Sequence, residues 1–398
     1  MLPGARSTVG PPPPTVAVTL DALESLAARA GQSERLALDI EANGRFAYRA
    51  RVSTLQLAFA DEVAVIDPLA PGIAGHLEPI ARLLSGAGPL KVIHDVAFDA
   101  RLLAAAGLTL GNVHDTALLA QWLGRPSTGL ASLASSELGV TLDKSLQAQD
   151  WAARPLTERS LRYLVDDVGH LLTLDDRLWG EAVQAGIDAE VLEETAYRLT
   201  TAERSVREPD PRPAFARLKG AETLGWSDRA VLRRVAMARE SEAERLDTPA
   251  GELVPTSVLL AIARARPRTT RALARIRSPI ARVDSPHVAE ALIHAVAEGV
   301  ADGELSAEDR AWFDHPKPPP GVVKARHARE ARLSAWRKRE AKARGVHEQV
   351  VLPGHCASDI VDEEPADVPA LARVAGIGAL RVTRYADAIL AAIREPAP

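Results

Sequence analysis

The stretch Leu36-Ala37-Leu38-Asp39-Ile40-Glu41 limits what this chain can fold into more than any other. Its aliphatic residues suit a buried strand, yet two carboxylates stand at its end. Side chains alternate along a strand, so Asp39 and Glu41 point to one face while Leu38 and Ile40 point to the other. Two acids side by side on one face repel each other and lose hydration unless a cation lies between them. An isolated D-x-E also reads as a strand running out into a polar loop. Further acids along the chain decide between the two.

Those acids exist. His94-Asp95-Val96-Ala97-Phe98-Asp99 follows the apolar run Leu90-Lys91-Val92-Ile93, and Asp99 falls in the first turn of the next helix. The helix dipole favours an acid there in any case. Tyr163-Leu164-Val165-Asp166-Asp167 lies in a helical run whose apolar stripe includes Leu161, Leu164, Val168 and Leu171. Tyr163 and Asp167 share a helix face and point inward with that stripe, and Asp166 points about 100° away. A buried, unpaired aspartate calls for a cation. Other acids read as bystanders: Asp115 as a helix N-cap, Asp166 as solvated, Asp95 as a neighbour of the site. His94 and His114 are expected to have structural partners, because oxygen-rich sites favour Mg²⁺ or Mn²⁺ over zinc.

The 398 residues are too many for one ordinary domain, and 46% apolar content is ample for packed cores. The single cysteine, Cys356, excludes an internal disulfide framework and two-cysteine zinc motifs. No apolar run reaches about 18 residues, and the first residues, with Pro11–Pro14, lack a secretory h-region. A cytoplasmic location is expected. The net charge of −5 hides a basic segment, Lys317–Arg344, with ten Lys or Arg against only Glu330 and Glu340. That segment reads either as a local nucleic-acid contact or as a solvated helix face.

The spacing predicts a helix over about 16–30 and strands at Leu36–Glu41, Ser53–Ala60 and Glu62–Asp67, forming an antiparallel start. A helix over about 75–84, a strand at Leu90–His94, a helix over 98–106, a strand around 108–113 and a helix over 115–123 follow. From about 156 to 185 the pattern is helical throughout, with Thr157 as N-cap. A mixed sheet flanked by helices results. Proline density near Arg207–Pro213 marks a boundary, beyond which the chain is all-helical, with a second proline-rich run at His315–Gly321.

The helical part repeats itself at an offset of 98 residues: Pro255 with Pro353, Pro267 with Pro365, Glu242-Ala243 with Glu340-Ala341, and Leu273-Ala274-Arg275 with Leu371-Ala372-Arg373. One small helical module is used twice. In the second copy Ala375-Gly376-Ile377-Gly378-Ala379 is a turn that either aims a helix N-terminus at a phosphate or serves as a plain helical corner.

The D-x-E strand, the later aspartate and the Y-x-x-x-D helix together resemble the tyrosine-bearing branch of the DEDD 3′→5′ exonucleases. The run Leu142-Asp143-Lys144-Ser145, Asp150-Trp151, Arg154-Pro155-Leu156-Thr157 and Leu161-Arg162-Tyr163 is similar to that of the ribonuclease D family, and the duplicated module to the HRDC domain. The chain departs from the family pattern at Ile40 and His170. The resemblance implies a ribonuclease H-like mixed-sheet exonuclease domain over 15–210 after a tail over 1–14. HRDC-like helical domains over 218–300 and 325–396 and a linker over 301–324 would complete the chain. It implies two divalent ions, Mg²⁺ or Mn²⁺, about 4 Å apart. Asp39 would bridge them, Glu41 and Asp167 would hold the ion that activates water, Asp99 would serve the leaving-group side, and Tyr163 would orient the attacking water. Gln56, Lys144 and Arg154 would contact substrate. The implied activity is hydrolytic trimming of structured RNA from its 3′ end, tRNA precursors above all, by a monomer whose HRDC modules hold the RNA body and which releases nucleoside 5′-monophosphates. A DNA or general 3′→5′ exonuclease and a non-catalytic RNA-binding scaffold are the alternatives.

Overall fold

The computed structural model describes residues 14–276, 285–314 and 318–394. Residues 1–13 of the expected tail and 315–317 of the expected linker lie outside the described residues. The chain opens with β1 (Thr15–Ala17), α1 (Leu20–Ala30), β2 (Arg35–Ala42), β3 (Val52–Phe59) and β4 (Glu62–Ile66). Then follow α2 (Glu78–Leu84), β5 (Leu90–Ile93), α3 (Val96–Ala105), β6 (Val113–Asp115), α4 (Thr116–Trp122) and α5 (Leu130–Leu133). Three longer helices, α6 (Glu158–Gly169), α7 (Leu171–Gln184) and α8 (Asp188–Arg207), close this part. The six strands form one sheet in the order β1-β4-β3-β2-β5-β6. β2 lies near its centre, antiparallel to β3 and parallel to β5.

Alternation along β2 sorts its side chains as expected. Leu36, Leu38 and Ile40 join the main core with Leu23, Ile80 and Leu103. Ala37 faces the other way, packing with Val168 and Leu171 of α6 and α7. Asp39 and Glu41 share that second face.

Several expected boundaries shift, each for a local reason. Val16 belongs to a strand, paired parallel with Val65, because Thr19 caps α1 and starts it only at Leu20. α2 starts at Glu78 and not near 75, since Gly75 takes a left-handed turn (φ 81°). The strand expected around 108–113 forms at Val113–Asp115. The long helix over 156–185 divides at Gly169-His170, where glycine lowers the stability of a continuous helix. Thr157 caps α6 as expected, its hydroxyl accepting from Ser160 N at 3.1 Å.

By packing, two compact units exist. One contains the chain up to Ala42, Val52–Arg207 and everything from Pro319; the other contains Asn43–Arg51 and Glu208–Pro318. In the second unit run α9 (Ala214–Arg217), α10 (Trp226–Arg245), α11 (Ala250–Leu253), α12 (Thr256–Ala265), α13 (Thr270–Leu273), α14 (Pro286–Asp302) and α15 (Ala307–Ala311). Tyr48, from the segment between β2 and β3, packs on this unit's core, and its hydroxyl donates to Glu240 at 3.1 Å.

In the first unit the chain continues through α16 (Pro320–Arg344), α17 (Glu348–Val351), α18 (Gly354–Glu363), α19 (Val368–Leu371) and α20 (Ala379–Arg394). The duplication is visible helix by helix: α11, α12 and α13 recur as α17, α18 and α19 at the same offset. Even the strained positions recur. Arg266 (φ 47°) and Glu364 (φ 49°) end α12 and α18 in the left-handed region, each just before a proline. A residue preceding proline is pushed out of the right-handed helix, so both helices must stop there. Thr269 and Asp367 then cap the next helix in each copy.

The basic segment is sorted by its surroundings. Arg326 and Arg329 of α16 pair with Asp362 and Glu364. Arg332 and Arg337 donate to the carbonyls of Ala392 and Glu348. Lys324, Lys338, Arg339 and Lys342 are exposed. Among the described residues no helix is long and apolar enough to cross a membrane.

Ile262 and Ile360 are fully buried and occupy equivalent positions of the two copies. Ile262→Ala and Ile360→Ala should each cost about 2–5 kcal/mol. Hydrogen exchange should locate the loss in the second unit for Ile262→Ala and in the first for Ile360→Ala.

Candidate active site

β2 and α6 bring three acids together. Carboxylate oxygens of Asp39, Glu41 and Asp167 lie within 4.8 Å of one another, the one such cluster of potential metal ligands among the described residues. Alternation along β2 supplies the first two. A register shift between Glu41 and Ala42 ends regular pairing just there, and such irregularities re-aim side chains at sites. α6 packs against β2, β3 and β4 and supplies Asp167. Tyr163, one turn earlier, is 5% exposed and packs on Trp151 with ring centroids 5.5 Å apart. Asp166 is half-buried rather than freely solvated.

Crowding shows in the protonation of these groups. Burial, against a lowering from the Ile40 backbone N–H, raises Asp39 to about 6. Burial and the charges of Asp39 and Asp167 raise Glu41 to about 9, and burial with Asp39 and Asp166 raises Asp167 to about 8. Tyr163 is raised by burial and by Asp167, so its hydroxyl stays protonated and available as a donor. Among the described residues no lysine or arginine charge offsets the rise of any of these acids. Once ionised, these oxygen donors would fit hard divalent cations, whose charge would offset the repulsion.

Asp99 lies in the first turn of α3, 4% exposed. It stands outside the cluster of three, but shares its field: burial, then the charge of Asp39, raise it well above the carboxylate range. Its position depends on a second buried aspartate. Asp115 is fully buried and caps α4 as expected, accepting from Ala117 N and Leu118 N at 3.0 and 3.2 Å. The same carboxylate also accepts from Asp95 N at 3.0 Å and Val96 N at 3.4 Å, fixing the left-handed Asp95 (φ 65°) from which α3 departs. Arg198 of α8 approaches it at 3.3 Å. No local sequence signal predicts this, since the partners lie on three separate elements.

Among the expected substrate contacts, Gln56 is opposite Asp39 across the β2–β3 ladder, on the same face. Its amide donates to Thr54 Oγ1 at 2.6 Å, and its Oε1 is buried without a partner. Lys144 is exposed. Arg154 has structural partners. Its guanidinium donates to both oxygens of Asp67 at 2.6 and 2.7 Å and to the carbonyls of Ser53, Trp151 and Ala153. All five donors are engaged in holding the segment before α6. The histidines have structural partners: His94 Nδ1 meets Thr116 Oγ1 at 2.9 Å, and His114 meets Asp175 at 3.0 Å and stacks on Trp179.

A 3′-5′ exonuclease family profile matches residues 14–182, and the HRDC domain profile matches twice, at 228–283 and 326–393. The fold and the acids thus define an exonuclease of the 3′→5′ class with two HRDC modules. Ribonuclease D of Gluconacetobacter diazotrophicus is 30% identical over 321 residues, 80% of each chain. That of Granulibacter bethesdensis is 29% identical over 90% of this chain and 89% of its own. The crystal structure of Escherichia coli RNase D, an exoribonuclease involved in structured RNA processing, superposes with a TM-score of 0.69. It covers 97% of this chain at 23% identity, and so speaks for the fold. The chain belongs to the ribonuclease D family and is a 3′→5′ exoribonuclease.

Raised carboxylate pKa values make the metal-free fold pH-sensitive. Protonated acids are tolerated; ionised ones repel. The contribution of these groups is therefore favourable below their unfolded values near pH 4 and is lost as pH rises through about 6, 8 and 9 for Asp39, Asp167 and Glu41. In chelator at pH 8, Asp39→Asn and Asp167→Asn should melt above the parent, while Mn²⁺ should stabilise the parent more than either variant. A variant melting below the parent would contradict the repulsion. Arg154→Ala should instead lower the melting temperature in the presence and absence of metal.

Proposed function

We propose that this exoribonuclease is a two-metal enzyme that trims the 3′ ends of structured RNA, tRNA precursors above all, and releases nucleoside 5′-monophosphates in the cytoplasm. The observation that carries the reading is the mutual approach of Asp39, Glu41 and Asp167 within 4.8 Å, with no cation among the described residues to offset their charge. Asp39, Glu41, Asp99 and Asp167 would hold two divalent cations, Mg²⁺ or Mn²⁺. When bound, such cations neutralise the charge developing on a phosphodiester in displacement and acidify water.

The chain's own residues do the rest. Glu41 and Asp167 would give up protons to hold a cation, so their raised pKa values make protons compete with cation binding. Tyr163 keeps its proton and orients the attacking water by donating a hydrogen bond. Asp115 and the turn at Asp95 hold Asp99 at the mouth of α3. Gln56 has an amide atom unspent beside Asp39 and is the favoured substrate contact among the residues of the sheet.

Digestion of a 3′-extended tRNA labelled at its 5′ end tests the reading. The expected result is a ladder that shortens from the 3′ end only with Mg²⁺ or Mn²⁺, and far more slowly on matched DNA. Equal shortening of DNA would make the enzyme a general exonuclease; loss of RNA from the 5′ end would end the proposal. Tyr163→Phe should lower kcat by about 10²-fold while leaving RNA affinity unchanged. A defect confined to binding would remove Tyr163 from its role.

A further inference from the structure

We propose that the second HRDC module carries an oxyanion cradle, built from the Gly376-Ile377-Gly378 turn, the N-terminus of α20 and Arg381, and that Glu193 of α8 fills it in cis. The turn therefore seats the module on the exonuclease domain and is withdrawn from RNA.

Gly376 and Gly378 both take φ of 75°, a conformation that leaves the backbone bare where α20 begins. A Cβ added at Gly378 would stand 2.0 Å from the Glu193 carboxylate, so the close approach requires glycine. Leu380 N, in the first turn of α20, donates to Glu193 Oε1 at 3.0 Å. Free N–H groups and the positive end of a sixteen-residue helix make this position suited to an anion. Arg381 gives the second, independent sign. Its side chain is fully buried: Nε and Nη1 donate to the carbonyls of Val350 and Ile377 at 3.1 and 3.3 Å, Nη1 also lies 3.5 Å from Glu193 Oε2, and Nη2 has no hydrogen-bond partner. Glu193 Oε2 is likewise buried without a hydrogen bond. The Glu193 carboxylate thus takes a donor from the helix start and lies beside a buried guanidinium that keeps one nitrogen unspent. A groove of about 700 Å³ opens onto the turn, lined by apolar groups such as Tyr197, Val374 and Val382 together with Thr200, Arg204 and Glu193.

Neighbouring contacts show that the occupancy belongs to a built interface within one unit. Glu190, Glu193, Glu194 and Tyr197 form one face of α8. Glu190 meets Arg344 at 3.0 Å and also Arg384; Glu194 lies 3.2 Å from His355, which stacks on Tyr197. Arg381 lies over Trp122 at 5.4 Å, and Val350 of α17 joins the cluster of Leu118, Trp122 and Leu178.

The test is thermal unfolding of the full chain with and without inorganic phosphate at matched ionic strength. Glu193→Ala should melt below the parent and gain about 2–4 °C more than the parent from millimolar phosphate, which takes the vacated cradle. Glu193→Gln keeps one acceptor oxygen and should fold should the alanine variant fail, with a smaller gain. Equal phosphate effects on parent and variants, including none, would overturn the proposal. Because stability is read and not hydrolysis, its failure leaves the exonuclease reading untouched, and the reverse holds as well.

Discussion

Repulsion among carboxylates that the fold forces together is the constraint around which the exonuclease domain is arranged. Asp39 and Glu41 share a face because strand side chains alternate, and that face is covered by α6, which adds Asp167. Leu38 and Ile40, pointing the other way, anchor the strand in the main core. Apolar burial on one side of β2 thus holds in place an arrangement that its other side resists. Without cations the protein answers by retaining protons, which is why Glu41 and Asp167 lie at about 9 and about 8.

Holding such a site open takes supports that never touch it. Asp115 ties the starts of α3 and α4 through four backbone N–H groups. Charge-assisted bonds of this kind are among the stronger ones available, and here they stabilise a non-glycine residue in the left-handed region. Arg154 does the same for the segment before α6, joining Asp67 to three carbonyls. Two polar clamps therefore fix the elements carrying Asp99, Tyr163 and Asp167.

The same unit contains a second group of buried acids, and the contrast is instructive. Glu190 and Glu194 on α8 are met by arginines and a histidine from the second HRDC module. Burial alone would raise Glu194, but His355 and Arg198 outweigh it and hold it below its ordinary value. There the protein supplies the counter-charge and the result is an interface. At β2 the described residues supply none, and the result is a cluster of acids that cations would relieve.

Much of this was legible in the sequence. The D-x-E alternation, the four-residue spacing of Tyr163 and Asp167, the caps at Thr157 and Asp115 and the 98-residue duplication are local patterns. The physics that makes them informative acts over one turn, one strand or one repeated module. What the tertiary structure decided involves partners far apart in the chain. Arg154 looked like a free cation because Asp67 and Ser53 lie in other elements. Asp115 looked like an N-cap and no more, because its other partners sit at the start of α3 and on α8. The GIG turn read equally as a phosphate site or a plain corner, until packing brought Glu193 against Leu380 N from nearly two hundred residues away. Charges choose partners by distance in space, and a sequence records only distance along the chain.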